Sequence, residues 1–244
     1  MCRHLVYLGP PVPLAALLVE PPYGLVHQSW APRDMRGGGT INVDGFGVGW
    51  YAPSGPVRYR RAVPIWGDQN FGAVARQTTV TAALAAVRSA TPGMVVNDQA
   101  CAPFGGEGWW FSLNGYVAGW PDSVTKLAER LPVTDLMTMD APTDAAFVWV
   151  LLRQRLRLGY TPAEAVTATV ADLAASAAGS RLNLLLTDGE WAYATTYGHA
   201  LSVRHDPGRV IVASEPFDDD SGWVGVPDRR LVVAHPASYT VEEL

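Results

Sequence analysis

The chain has 244 residues, 48% of them hydrophobic and 17% charged, with a formal net charge of −5. That length can bury a sizeable core without disulfides or metals, and the composition carries no bias toward disorder. An acidic balance with no polybasic run argues against nucleic acid and against an anionic membrane surface as partners, since both need a basic face.

Two cysteines, Cys2 and Cys101, are too few for the disulfide framework of a secreted domain. The N-terminus lacks the charged and long apolar segments of a secretory leader. Leu14-Ala15-Ala16-Leu17-Leu18-Val19 is too short to span a bilayer. A cytoplasmic location is the expectation.

In chain order, Leu5 to Leu8 reads as a strand stopped by Gly9-Pro10-Pro11, with a short helix over Leu14 to Val19. Arg33 to Asp44, with Gly37-Gly38-Gly39 and few apolar residues, reads as loop. Phe46 to Tyr51 and Val57 to Tyr59 suit two strands around the Pro53-Ser54-Gly55-Pro56 turn. A helix is expected over Asp68 to Gln77, then apolar strands at Leu84 to Val87 and Trp109 to Leu113. Three helical segments follow, Ser123 to Leu131, Thr143 to Leu158 and Pro162 to Ala178, with Thr143 placed as a cap and Pro162 at a first helical position. Short strands close the chain at Leu182–Thr187, Trp191–Thr196, Leu201–Arg204, Val210–Ser214 and Leu231–His235. Strands, then helices, then strands suit helices layered on antiparallel sheets. One α+β domain over residues 2–244 is the simplest division.

A cysteine in second position becomes the first residue once the initiator methionine is clipped. Its thiol and the free α-amine then belong to one residue. An α-amine ordinarily titrates near ~7.7–8.0 and a thiol near ~8.5, so a neutral amine can take the thiol proton without a histidine. The blander explanation of Cys2 is a small buried apolar residue.

No other chemistry presents itself as clearly. Gly45-Phe46-Gly47-Val48-Gly49 has neither the spacing nor the following helix of a dinucleotide site and reads as tight backbone geometry. His4, His27, His199, His205 and His235 never fall at metal-ligand spacing, and there is no Cys-x-x-Cys, so neither a metal nor a cofactor is expected. Ser112-Leu113-Asn114-Gly115 ends an apolar strand with a side-chain amide and a glycine. Those are parts for an oxyanion hole, or for an ordinary Asn-Gly turn. Arg88 follows Leu84-Ala85-Ala86-Val87 and could grip a carboxylate bidentately, or be a solvated edge charge. Asp144, after Thr143, could hold an ammonium or simply complement the helix dipole.

Together Met1-Cys2-Arg3, Asp44-Gly45-Phe46-Gly47-Val48-Gly49-Trp50, Arg88-Ser89-Ala90-Thr91, Asn114-Gly115, Thr143-Asp144 and Ser214-Glu215-Pro216 resemble the class II glutamine amidotransferases, members of the N-terminal-nucleophile (Ntn) hydrolases. The resemblance implies a four-layer αββα sandwich with antiparallel sheets and Cys2 as mature N-terminal nucleophile. It also implies Asn114 and Gly115 as oxyanion hole, Arg88 on the α-carboxylate of a γ-glutamyl substrate, and Asp144 on its α-ammonium. Ala86 and Ala102 stand where many relatives carry histidine. No synthase-like region follows, so a stand-alone amidohydrolase is expected rather than an ammonia-supplying glutaminase subunit. A binding module that keeps the fold is the non-enzymatic alternative.

Met1-Cys2-Arg3-His4-Leu5, Arg36-Gly37-Gly38-Gly39-Thr40 and Ala100-Cys101-Ala102-Pro103-Phe104 look more specifically like the amidohydrolases of ergothioneine biosynthesis. Those remove glutamate from γ-glutamyl-hercynylcysteine S-oxide. The product's trimethylammonium group would suit an aromatic cage, with Trp30, Trp66, Trp109, Trp110 and Trp223 as candidates and Asp218-Asp219-Asp220 as an attracting charge. Core packing and a solvated loop are the plainer explanations of these residues.

Overall fold

Alternation along the first strand determines the layering. In β1 (Arg3–Pro13), Leu5 and Tyr7 pack into a core with the N-terminal helices. Val6 and Leu8 point the other way, into a second core with Leu185, Ala194 and Val232. A strand apolar on both faces must be covered on both sides, and a second sheet provides that cover.

The computed structural model describes residues 2–36 and 41–244. The strands are β1, β2 (Phe46–Ala52), β3 (Gly55–Arg61), β4 (Thr79–Val87), β5 (Phe104–Gly106), β6 (Trp109–Tyr116), β7 (Arg181–Thr187), β8 (Ala192–Thr196), β9 (Ser202–Asp206), β10 (Arg209–Ala213), β11 (Trp223–Gly225), β12 (Arg230–His235) and β13 (Ser238–Glu243). One sheet runs β11-β9-β10-β1-β4-β2-β3 and the other β13-β12-β8-β7-β6-β5. The paired neighbours are antiparallel.

The helices are α1 (Ala15–Leu18), α2 (Leu25–Gln28), α3 (Phe71–Gln77), α4 (Thr125–Ala128), α5 (Val133–Met137), α6 (Asp144–Arg157) and α7 (Pro162–Ser176). The first three cover the outer face of the β1 sheet through Leu17, Leu18, Leu25 and Phe71. Helices α6 and α7 cover the outer face of the other sheet, where Phe147, Val150 and Leu173 meet Phe111, Leu182 and Leu184. Each fully buried leucine or phenylalanine contributes about 1.5–3 kcal/mol. The expected four-layer αββα sandwich is therefore the observed fold. Among the described residues no helix is long and apolar enough to cross a membrane.

Local signals were read correctly where capping was strong. Thr143 accepts the Ala146 N–H at the start of α6, and Thr161 and Glu164 form a capping box ahead of α7 with Pro162 in its first turn. Two readings need correction. The first strand does not stop at Gly9. It continues to Pro13 with a register shift between Leu8 and Val12, which places the prolines where the ladder is already irregular. The sequence pattern does not mark the strands β5, β11 and β13, and all three are sheet edges. An edge strand has no need of a continuous apolar pattern, and β13 is mostly exposed.

Candidate active site

The face of β1 that looks across the sandwich carries Leu8 and Val6 and then, by alternation, His4 and Cys2. The facing positions of β6 are Trp110, Ser112 and Asn114. The inter-sheet layer thus turns from apolar to polar at one end, and a cleft opens there with Cys2 in its lining. Strand β1 is paired on both sides, by β4 and β10, so the half-buried Cys2 sits at the end of a rigid central strand.

The Cys2 thiol lies 3.9 Å from the Ser89 carbonyl, just past the end of β4. Asp44 and Gly45 hold that segment. Gly45 accepts the Arg88 N–H at 2.7 Å, and the Asp44 N–H donates to the Arg88 carbonyl at 3.1 Å. The Asp44 carboxylate accepts the Ala90 N–H at 2.8 Å. This accounts for the Asp-Gly that precedes β2: it extends the ladder and fixes where Arg88 emerges.

Arg88 is no solvated edge charge. Its side chain is buried, Nη2 donates to the Val95 carbonyl at 3.0 Å, and Nη1 is buried without an acceptor among the described residues. An unpaired buried guanidinium N–H is costly unless a ligand completes it. Asp144 borders the same cleft and is also buried, which a helix-dipole role would not require. Its carboxylate accepts the Val117 N–H at 2.9 Å and the Ala145 N–H at 2.8 Å. Burial pushes the Asp144 carboxyl up, while these two N–H groups and nearby Arg88 pull it back. A buried anion and a buried cation face one narrow space, as a zwitterionic amino-acid terminus would need.

Gly115 lines the cleft as well. Its φ is 153°, and a Cβ there would lie 1.9 Å from the Arg181 carbonyl oxygen across the β6–β7 ladder. No other residue fits without breaking that pairing. Asn114 is fully buried in the wall between cleft-lining Leu113 and Gly115, with Nδ2 3.2 Å from Ser214 Oγ. Four of the five expected residues therefore border one cleft, and Asn114 lies directly behind it.

Several neighbours had no assigned role in the sequence. His4 Nδ1 lies 3.1 Å from Ser112 Oγ, and burial, aided by His199 and Arg3, depresses the His4 pKa to about 3. Burial, with Arg181 and Arg3, does the same to His199, also to about 3. Both imidazoles are neutral in the folded state. The unfolded chain takes up their protons near the ordinary value of ~6.5, whereas the folded one refuses them until about 3. Stability is therefore full above pH ~6.5 and falls progressively below it. Urea midpoints measured from pH 8 down to 4 should decline from about pH 6.5, and His199→Gln should flatten that decline.

Beside them, buried Arg3 faces buried Glu215 at 4.0 Å. Glu215 accepts the backbone N–H groups of Arg33 and Asp34 at 3.0 and 2.8 Å, and Arg3 Nη2 donates to the Asp34 carbonyl. This pair ties the 33–34 segment to the start of β1. Gly37 to Thr40 of the glycine-rich stretch, and Met1, lie outside the described residues.

The tryptophans do not converge on the cleft. Trp110 is buried between the sheets, where Cβ atoms on Gly49 or Gly105 would strike its ring, confirming tight geometry as the reason for the first of those glycines. Trp223 stacks edge-on against Phe217 and donates its indole N–H to Asp218. The acidic triplet is engaged by the protein's own cations: Asp218 and Asp220 pair with Arg204, which also pairs with Asp206, and Asp219 pairs with Arg33. Cys101 is fully buried beside Gly45, and burial pushes its thiol up to about 11, so it serves packing.

A thiol at the start of a central strand of an αββα sandwich, facing an acid and a guanidinium, defines an Ntn-type amidohydrolase architecture. The sequence model for glutamine amidotransferases class-II matches residues 14–209, and the chain belongs to that family. It is 40% identical, over the whole of both chains, to a gamma-glutamyl-hercynylcysteine sulfoxide hydrolase of Mycolicibacterium smegmatis. It is 37% identical to the protein of the same name from Mycobacterium tuberculosis, covering all of this chain and 97% of that one. Among solved structures, a glutamine aminotransferase class-II domain protein from Silicibacter pomeroyi superposes with a TM-score of 0.71 at 22% identity, covering 99% of each chain. Glutamine phosphoribosylpyrophosphate amidotransferase from B. subtilis gives 0.72 at 14% identity, with 99% of this chain on 49% of that one. These two likenesses concern the fold.

Proposed function

We propose that this enzyme hydrolyses the γ-glutamyl amide of γ-glutamyl-hercynylcysteine S-oxide, releasing glutamate and hercynylcysteine S-oxide in ergothioneine biosynthesis. It would act as a single domain over residues 2–244, in the cytoplasm, where free Cys2 and Cys101 stay reduced. The observation that carries the reading is the grouping of Cys2, Arg88, Gly115 and Asp144 on one cleft, in a chain matched end to end by hydrolases of that name.

In this reading Arg88 takes the substrate α-carboxylate and Asp144 its α-ammonium, which fixes the γ-carbonyl over Cys2. With Met1 removed, the Cys2 α-amine accepts the thiol proton and the thiolate attacks the γ-carbon. A C–S bond forms, and the carbonyl electron pair moves to oxygen, where Asn114 and the Gly115 N–H stabilise the oxyanion. Collapse breaks the C–N bond, and the departing nitrogen takes the proton held by the α-amine. Water then attacks the γ-glutamyl thioester while the α-amine accepts its proton. Breaking the C–S bond returns the thiol and frees glutamate.

Glutamate release from the γ-glutamyl sulfoxide, measured beside release from glutamine, tests the substrate. The sulfoxide should be turned over with the much larger kcat/KM. Faster turnover of glutamine, rising when a synthase partner is added, would instead identify an ammonia-supplying subunit.

A further inference from the structure

Ser214 stands at the end of β10 and is completely buried. Its backbone N–H donates to the His4 carbonyl at 2.9 Å, and its Oγ accepts the His4 N–H at 2.9 Å. The hydroxyl is thereby locked to the strand that carries Cys2, two residues away. Its remaining neighbour is Asn114, whose amide sits 3.2 Å off with Nδ2 toward Ser214.

That orientation wastes two polar groups. The Ser214 oxygen accepts two N–H groups, and its own proton has no acceptor among the described residues. Asn114 Oδ1, at the other end of the amide, is buried with no donor. Exchanging the two ends of the amide pairs both of these groups and leaves the amide NH2 as the group without a partner among the described residues. The Ser214 O–H then donates to Oδ1, its oxygen still accepts the His4 N–H, and the NH2 group moves to the end that has no protein partner. The exchanged amide leaves fewer buried groups unpaired, and N and O of an amide are distinguished only by their partners.

We propose that Ser214 is a positioning residue for the oxyanion hole, its hydroxyl holding Asn114 Oδ1 so that the amide NH2 is free to meet the reacting carbonyl oxygen. This rests on the oxyanion reading of Asn114 given above. It gives the Ser-Glu-Pro segment two separate duties: Ser214 orients the donor, and Glu215 anchors residues 33–34. It also ties nucleophile and oxyanion donor to one backbone strand, which keeps their separation constant through the reaction. The advantage is pre-organisation, because a donor already pointing at the oxyanion need not reorient during the chemical step.

The test compares steady-state glutamate release from the γ-glutamyl sulfoxide by the wild type, Asn114→Ala, Ser214→Ala, Ser214→Cys and the Asn114→Ala/Ser214→Ala double variant. Asn114→Ala should lower kcat by about 10²–10³-fold. Ser214→Ala and Ser214→Cys should each lower it on the order of 10²-fold, as expected for a misplaced catalytic group, with KM within about twofold. The double variant should be no slower than Asn114→Ala alone, because a residue acting through Asn114 has nothing left to position. Ser214→Thr, which keeps the hydroxyl, should recover most of the rate. Losses that multiply in the double variant, or a Ser214 effect confined to KM, would overturn the positioning role. Wild-type kcat in Asn114→Ala would instead remove the oxyanion reading, and this inference with it. Should Ser214→Ala fail to fold, the cysteine variant of nearly equal volume decides the question.

Discussion

Replacing Cys2 by alanine should lower kcat for glutamate release by at least ~10⁴-fold, the scale on which hydrolases lose activity with their nucleophile, while leaving the fold intact. Cys2 is half-buried at a strand terminus, and its one side-chain hydrogen bond among the described residues is the long 3.9 Å approach to the Ser89 carbonyl, so little is lost with the sulfur. The thermal midpoint should accordingly stay close to that of the wild type. The same experiment has a second arm. Intact mass reports the fraction of molecules from which Met1 has been removed, and activity should scale with that fraction. With Met1 retained the α-amine belongs to the wrong residue, and buried His4 and His199 are poor substitutes, since burial makes both imidazoles weakly basic, with pKa values of about 3. Glutamate release that survived Cys2→Ala, or that did not track processing, would sink the N-terminal-nucleophile assignment.

Arg88→Ala is the second large effect. The guanidinium is buried, with one nitrogen held by the Val95 carbonyl and the other unpaired among the described residues, which leaves it a free donor for the proposed substrate carboxylate. Truncating one partner of a buried charge-assisted pair costs about 2–5 kcal/mol. That corresponds to a fall in kcat/KM of roughly 30- to 5,000-fold, carried mainly by KM. Arg88→Lys should recover only part of it, because an ammonium cannot present two parallel N–H groups to a carboxylate. An unchanged KM in Arg88→Ala would remove the carboxylate clamp from the mechanism.

The chemistry-bearing residues were legible because each follows a local signal. Cys2 is marked by its position, Thr143-Asp144 by capping, and Asn114-Gly115 by its place after an apolar strand. Arg88 was visible only as a cation after an apolar run. What set it apart from a solvated edge charge was its burial and its unpaired nitrogen, which no spacing encodes. Two of the cage candidates are engaged elsewhere for a complementary reason. Composition shows that aromatic surface is plentiful, but Trp110 is consumed by the inter-sheet core and Trp223 by Phe217 and Asp218.

By itself the sequence determined the layered α+β architecture, because strands, then helices, then strands suit helices packed on antiparallel sheets, and it marked the candidate residues for amide chemistry. Only the tertiary structure decided which of them meet. Arg88 lines the cleft with Cys2 because β4 lies beside β1, Asp144 borders it with its carboxylate held by the Val117 N–H, and Ser214 reaches Asn114 across 100 residues of chain. Those are long-range pairings set by sheet order and burial. Sheet order depends on the whole set of strands competing for partners, and that competition leaves no mark at any one position.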